Sequence, residues 1–184
     1  MASAPQRSAL RASGPPVRRK LEREQFVPRP RAEVFPFFAD AANLERLTPS
    51  SLRFQIETAL PIDMRAGALI DYKIALFGIG LHWRTLIEVF EPEVRFVDVQ
   101  LKGPYRLWRH THEFIEAPGG TLLRDSVEYE VPFGPLGDLA RLVFVDRQLA
   151  SIFAFRQRAI EAIFGSSDRR GDASSRRNSA TGQA

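Results

Sequence analysis

A change in the spacing of apolar residues constrains the fold of this chain more than any other feature. From residue 52 to residue 131 apolar residues recur at every second position, as in strands that bury one face. From residue 139 to residue 164 they recur at intervals of three and four, as in a long amphipathic helix. Gly165 follows at the position of a C-terminal cap. This order predicts an antiparallel sheet followed by one long helix.

Three shorter elements precede that sheet. Residues 18–27 alternate moderately and end at Pro28, so they predict a first strand. Pro30 stands where a helix tolerates proline, at the start of an apolar cluster, and a second short helix over residues 41–47 ends before Pro49. The pattern predicts an α+β fold in which a curved antiparallel sheet of six to seven strands wraps around the long helix.

Length and composition favour one domain with a sizeable core. The chain has 184 residues, of which 44% are hydrophobic. We expect this domain over residues 18–165. Residues 1–17 and 166–184 are rich in small and basic residues without apolar periodicity, which predicts a disordered leader and a disordered tail. The leader also has no continuous apolar segment of the kind that a secretory signal needs.

The distribution of charge argues against a nucleic-acid partner. The net charge of +4 comes from the two ends, because residues 21–165 carry −3, whereas nucleic-acid binding needs a basic surface on the folded domain. The absence of cysteine excludes disulfides, thiolate metal sites and a cysteine nucleophile. No apolar run approaches the ~18 residues of a membrane-spanning helix, so we expect a soluble, cytoplasmic protein.

One predicted strand carries an unusual combination of side chains. Trp108, His110, His112 and Phe114 occupy alternate positions, so they lie on one face of the sheet. If a two-residue turn at residues 118–119 closes the next hairpin, three cross-strand pairs follow: Trp108 with Tyr129, His110 with Val127, and His112 with Asp125. A face of this composition suits the wall of a ligand cavity better than a dry core.

Asp125 is an acidic residue on an otherwise apolar face, where an unpaired carboxylate is costly. The predicted register supplies His112 as its partner, and such a pair favours the imidazolium form of His112. Three interpretations stay open: a satisfied buried pair, a group that orients a ligand, and an acid–base pair in catalysis.

The orientation of Asp98 and Gln100 depends on the turn at residues 102–105. A four-residue turn points Asp98 outward beside Arg109. A one-residue bulge instead turns Asp98 and Gln100 inward, towards His110. The sequence allows both registers.

Three motifs match a known superfamily: Asn43-Leu44-x-x-Leu47-Thr48-Pro49, Phe96-Val97-Asp98-x-Gln100-x-Lys102-Gly103-Pro104-Tyr105, and Trp108-x-His110-x-His112-x-Phe114. With the order of elements, they make residues 21–165 resemble the SRPBCC superfamily of START and Bet v 1-like helix-grip proteins. The similar branch is bacterial and is described as polyketide cyclase/dehydratase-like or cell-division-inhibitor-like. The resemblance implies a hydrophobic cavity between sheet and helix, but no particular reaction, because carriers, lipid binders and enzymes share this scaffold.

The alternation and the resemblance together select the residues that we expect around a ligand. They are Tyr72, Trp83, Trp108, His110, His112, Asp125, Tyr129 and Phe153, with Asp98 and Gln100 added if the bulged register applies. The two histidines and Asp125 also have the chemistry of metal ligands. Because such a combination is common by chance, we expect no metal and no cofactor.

These observations predict a protein that binds a hydrophobic small molecule such as a lipid, a quinone or a polyketide-like ring compound. The alternative is a cofactor-free enzyme of cyclase or dehydratase type, in which His112, oriented by Asp125, is the acid or base. A third hypothesis is an interaction module without a small ligand. No catalytic role is assigned beyond the candidates His112 and Asp125, and no oligomeric state is predicted.

Overall fold

Seven antiparallel strands form one sheet in the part of the chain that the structure describes. The computed structural model describes residues 18–76, 78–132 and 144–165. Across the sheet the strand order is β1-β7-β6-β5-β4-β3-β2, so the first strand in the sequence pairs with the last. The strands are β1 (Arg19–Val27), β2 (Gln55–Ile56), β3 (Leu69–Leu76), β4 (Ile79–Glu91), β5 (Arg95–Lys102), β6 (Leu107–Ala117) and β7 (Gly120–Glu130).

The two α-helices and the first 3₁₀ helix lie where the sequence predicts them, whereas the second 3₁₀ helix was not predicted. Helix α1 (Arg31–Phe38) and the 3₁₀ helices Ala41–Leu47 and Ser50–Leu52 follow β1, and helix α2 (Asp146–Phe164) follows the sheet. The predicted α+β helix-grip fold is therefore confirmed. The alternating segment after residue 52 forms only the short strand β2, because Ser50–Leu52 coil into a 3₁₀ turn and Arg53 adopts a left-handed φ of 44°.

Helix α2 has 19 residues and buries an apolar stripe that includes Leu149, Phe153 and Ile160. It ends at Gly165, which has a φ of 91° and donates its N–H to the Glu161 carbonyl at 2.9 Å, as predicted for a C-terminal cap. The earlier part of the predicted stripe, at positions 139–143, lies outside the described residues, as do the predicted leader and tail. Within the described residues, no helix has both the length and the apolar character that a bilayer crossing needs.

An aromatic cluster closes one end of the gap between the sheet and α2. Phe35 and Phe38 of α1 lie with their ring centroids 5.1 Å and 5.4 Å from that of Phe114 on β6. Ile160 of α2 belongs to the same buried cluster and is 1% exposed. Edge-to-face aromatic contacts of this kind add to the stabilisation that burial gives. They fix α1 against β6, and Ile160 brings α2 into the same cluster.

The strand registers determine which polar side chains point inward. The predicted β6–β7 pairing is confirmed, with Trp108 opposite Tyr129 and His112 opposite Asp125. Between β5 and β6, Asp98 lies opposite His110. Of the two predicted alternatives, the register that turns Asp98 inward, towards His110, is therefore the correct one. Asp98 faces the gap between sheet and helix.

Candidate functional site

Two adjoining cavities lie between the inner face of the sheet and α2. Their volumes are about 130 Å³ and 160 Å³. The first extends towards Asp98 and His112, and the second extends towards Trp83 and Phe153. Because they share much of their lining, they form two lobes of one binding space. The shared residues are Leu44, Leu47, Tyr72, Trp108, His110 and Arg156.

Stacked and edge-on aromatic rings line the second lobe. The Trp83 ring lies 5.4 Å from that of Trp108, 5.7 Å from that of Tyr105 and 5.9 Å from that of Tyr72, measured between centroids. Burial raises the pKa of the Tyr72 and Tyr105 hydroxyls, so both are neutral. The indole N–H of Trp83 is buried without a hydrogen-bond partner in the described structure. This lobe can therefore hold a flat apolar group and offers it few polar contacts.

His112 is the centre of a buried polar network whose other members are Asp98, Asp125, His110 and Arg156. Its Nε2 lies 2.9 Å from Asp98 Oδ2, and its Nδ1 lies 2.8 Å from Asp125 Oδ1. Both nitrogens can donate to these carboxylates only when the ring is an imidazolium. Burial disfavours that charge, but the hydrogen bonds that His112 donates to Asp125 and Asp98 outweigh burial and raise the pKa of His112.

His110 is held beside His112 in a different state. Its Nε2 lies 3.0 Å from Asp125 Oδ1, its Nδ1 lies 3.7 Å from Asp98 Oδ2, and its ring centroid lies 3.7 Å from that of His112. Burial and the positive charge of His112 lower the pKa of His110. A neutral His110 that donates from Nε2 to Asp125 keeps a lone pair on Nδ1.

The two carboxylates stay ionised although they are buried. Burial raises the pKa of Asp98, but the hydrogen bond from His112 and the nearby positive charges lower it overall. Burial also raises the pKa of Asp125, but Arg156 and both histidines outweigh burial. The pKa of Asp125 therefore falls well below the usual range. With His112 and Arg156 positive, the network has no net charge, which makes its burial tolerable.

Arg156 is the functional residue that the sequence interpretation did not include. Its Nε lies 3.5 Å from Asp125 Oδ2 and its Nη2 lies 3.2 Å from His112 Nδ1, while its guanidinium carbon lies 5.3 Å from the centre of the Phe38 ring. Its side chain is only 11% exposed. The signal was present in the sequence, because Arg156 interrupts the apolar stripe between Phe153 and Ile160 with a charge.

The structure brings most of the predicted site residues to the cavities and places three of them elsewhere. Asp125 lies behind the histidines, Tyr129 donates its hydroxyl to Asp146 Oδ1 at 2.5 Å, and Gln100 donates to the Tyr105 carbonyl at 2.7 Å. None of these three lines either lobe. The predicted residues that do line a lobe are Tyr72, Trp83, Asp98, Trp108, His110, His112 and Phe153.

Comparison with known proteins agrees with this architecture. A family described as "Polyketide cyclase / dehydrase and lipid transport" matches residues 27–156. No curated protein sequence matches the chain. The solved structure of Ara h 8.0201 is similar, with a TM-score of 0.57 and 16% identity, over 80% of this chain and 98% of that one.

Two larger proteins contain a similar domain. The di-domain ARO/CYC StfQ from the steffimycin biosynthetic pathway has a TM-score of 0.60 and 15% identity, over 80% of this chain and 51% of that chain. A nucleoside-diphosphate sugar epimerase from Corynebacterium glutamicum has a TM-score of 0.56 and 28% identity, over 76% of this chain and 28% of that chain. Because the family match spans most of the sequence and agrees with the fold, this chain belongs to the polyketide cyclase / dehydrase and lipid transport family, within the SRPBCC superfamily.

Proposed function

We propose that this protein binds a ring-bearing apolar small molecule, such as a quinone or a polyketide-like aromatic compound, in the two lobes between sheet and α2. The observation that carries this proposal is the paired cavity itself. Each lobe is close to the ~150 Å³ of an engineered apolar cavity that takes up benzene. Two adjoining lobes of about 130 Å³ and 160 Å³ therefore suit two fused or linked rings.

The distribution of polar groups gives such a ligand one orientation. Trp83 and Tyr105 line the second lobe and offer aromatic faces. His110 and Arg156 lie where the two lobes meet, and His112 and Asp98 lie on the wall of the first. A ligand hydroxyl can donate to Nδ1 of His110 and a ligand carbonyl can accept from Arg156, with the rings in the aromatic lobe. We expect this binding to take place in the cytoplasm.

Intrinsic fluorescence provides a direct test, because the only two tryptophans of the chain, Trp83 and Trp108, both line the second lobe. We expect a saturable fluorescence change when a naphthoquinone or a tricyclic aromatic compound is titrated into the protein. A long-chain fatty acid tests the lipid alternative in the same assay. Native mass spectrometry of the protein as purified adds a check for a retained compound.

A matched pair of variants assigns the signal to the cavity. Leu44 lines both lobes, whereas its neighbour Glu45 is exposed. Leu44→Phe is expected to fill the junction and weaken binding at least tenfold, while Glu45→Phe leaves it unchanged. The proposal is wrong if neither ring compound binds, if only the fatty acid binds, or if both variants bind like the original chain.

A second candidate function is acid–base catalysis on a carbonyl compound, favoured by the contact of Asp125 with His112 at 2.8 Å and with His110 at 3.0 Å. StfQ, which has this fold, is described as an ARO/CYC protein. His110 is the better placed base, because it lines both lobes and has a neutral ring with a free Nδ1. The test is incorporation of solvent deuterium next to the carbonyl of a bound compound, which His110→Asn should abolish if the protein is an enzyme.

A further inference from the structure

Against the expectation from the sequence that no metal is bound, we propose that Asp98, His110 and His112 form a binding site for one divalent transition-metal ion, of which Zn²⁺ is the probe, on the wall of the first lobe. The site shares His110 and the first lobe with the proposed organic ligand, but the ion is expected to bind without that ligand. Two imidazoles and one carboxylate are a donor set that such ions accept, with positions left open for water or a substrate oxygen.

The donor atoms already converge. One ligand atom from each of the three residues lies within 4.8 Å of the other two. Asp98 Oδ2 lies 2.9 Å from His112 Nε2 and 3.7 Å from His110 Nδ1. Ligand atoms around a tetrahedral ion with bonds of ~2.0–2.1 Å stand about 3.3 Å apart. Small side-chain adjustments therefore suffice to place all three atoms around one ion.

Asp125 supplies the outer support that metal-binding histidines usually have. The nitrogens of His110 and His112 that do not face Asp98 both face Asp125 Oδ1, at 3.0 Å and 2.8 Å. A carboxylate that accepts the second N–H of a histidine fixes the ring and its tautomer, which leaves the other nitrogen ready to bind a metal. A single carboxylate thus orients both imidazoles towards the same point.

Access also favours this site, and the charge around it predicts what completes the coordination. All three donors line the first lobe, so the open positions of the ion face the cavity. A divalent ion at this point adds a surplus of positive charge to the network of Asp98, Asp125, His112 and Arg156. Arg156, next to His112, makes that surplus unfavourable unless an anion completes the coordination. We therefore expect hydroxide or an anionic ligand oxygen in the open position.

The test uses the full untagged chain, treated with a chelator and titrated with Zn²⁺ in the absence of any organic ligand. Calorimetry is expected to give one ion per chain. Loss of an outer-shell partner costs ~10–100-fold in metal affinity, so Asp125→Asn should weaken binding within that range and His110→Ala by more. His82→Ala is the matched control, because His82 is exposed and contacts Glu57 on the outer face.

A measurement on the original chain avoids dependence on variants that fold poorly. Zn²⁺ is expected to shift the ring-nitrogen NMR resonances of His110 and His112 and to leave those of His82 unchanged. The proposal is overturned if no ion binds, if only the His82 resonances move, or if His82→Ala removes the binding. Because no organic compound is present, failure here leaves the binding proposal above untouched.

Discussion

Arg156 shows how one charged residue can occupy a buried helical stripe. Its guanidinium lies against Asp125 and His112 and over the Phe38 ring, so it both balances the network and packs against apolar surface. Removing one partner of a buried ion pair leaves an uncompensated charge, which typically costs more than the pair contributes.

Arg156→Met is therefore expected to lower the free energy of unfolding by about 3–5 kcal/mol. Arg158→Met is the control, because Arg158 lies on the same helix but is exposed, and a surface change of this kind stays within about 0.5 kcal/mol. Chemical denaturation followed by tryptophan fluorescence measures both. Equal stability of the two variants would contradict the buried role of Arg156.

Asp125 predicts an acid-dependent loss of stability. The pKa of Asp125 is lower in the folded chain than in the unfolded one. Its contribution to the free energy of unfolding is therefore present above the unfolded pKa of ~3.9 and disappears as the pH falls through the folded pKa. In chelator-treated protein, Asp125→Asn should make the unfolding free energy depend less steeply on pH below about 4. Asp63→Asn, on a side chain that is 85% exposed, is the control. An unchanged slope in Asp125→Asn would contradict the burial and pairing of this carboxylate.

At the scale of elements, helix α2 is held on the sheet by its apolar stripe. Phe153 is 7% exposed and packs with Val127, Tyr129 and Leu149. Phe153→Asp should lower the free energy of unfolding by at least about 3 kcal/mol, because it empties this space and buries an unpaired charge. Ala154→Asp, one residue later on the exposed side, should cost less than about 1 kcal/mol. A denaturation midpoint that Phe153→Asp leaves in place would show that this face of α2 does not pack on the sheet.

The hairpins differ in how far their registers could be predicted. The β6–β7 register followed from a short turn, which correctly placed His112 opposite Asp125. The β5–β6 register could not be chosen, because it depends on contacts within the turn. Gln100 folds over that turn and bonds both backbone groups of Tyr105. Gln100 can take this position because residue 103 is glycine, and a side chain on Gly103 would collide with Gln100.

The orientation of a site residue was predictable where the alternation of side chains along a strand determines it. The hydrogen-bond partner of a side chain was not predictable where several partners are within reach. Trp108 and His110 face the cavity, as the period of two requires. Tyr129 shares the inner face, yet its hydroxyl bonds Asp146 at the start of α2, a contact between residues that no local pattern links. The charge of Arg156 was visible in the stripe, but its partners on β6 and β7 depend on how the helix lies on the sheet.

For the whole molecule, we predict that residues 18–165 are sufficient for folding and binding. Residues 1–17 and 166–184 have no apolar periodicity with which to bury surface. A chain trimmed to residues 18–165 should therefore keep its melting temperature and its affinity for an aromatic probe. Calorimetry and the fluorescence titration check the two properties separately. Loss of affinity with an unchanged melting temperature would mean that an end segment takes part in the site.

The two lobes are space between sheet and α2 that a bound compound can fill. A compound that occupies them binds the folded chain alone, and at a hundredfold excess over Kd it adds about 2.7 kcal/mol to the free energy of unfolding. Cells degrade unfolded chains continuously, so a difference of this size changes abundance several-fold. The level of this protein in a cell should therefore rise and fall with the supply of the compound that it binds.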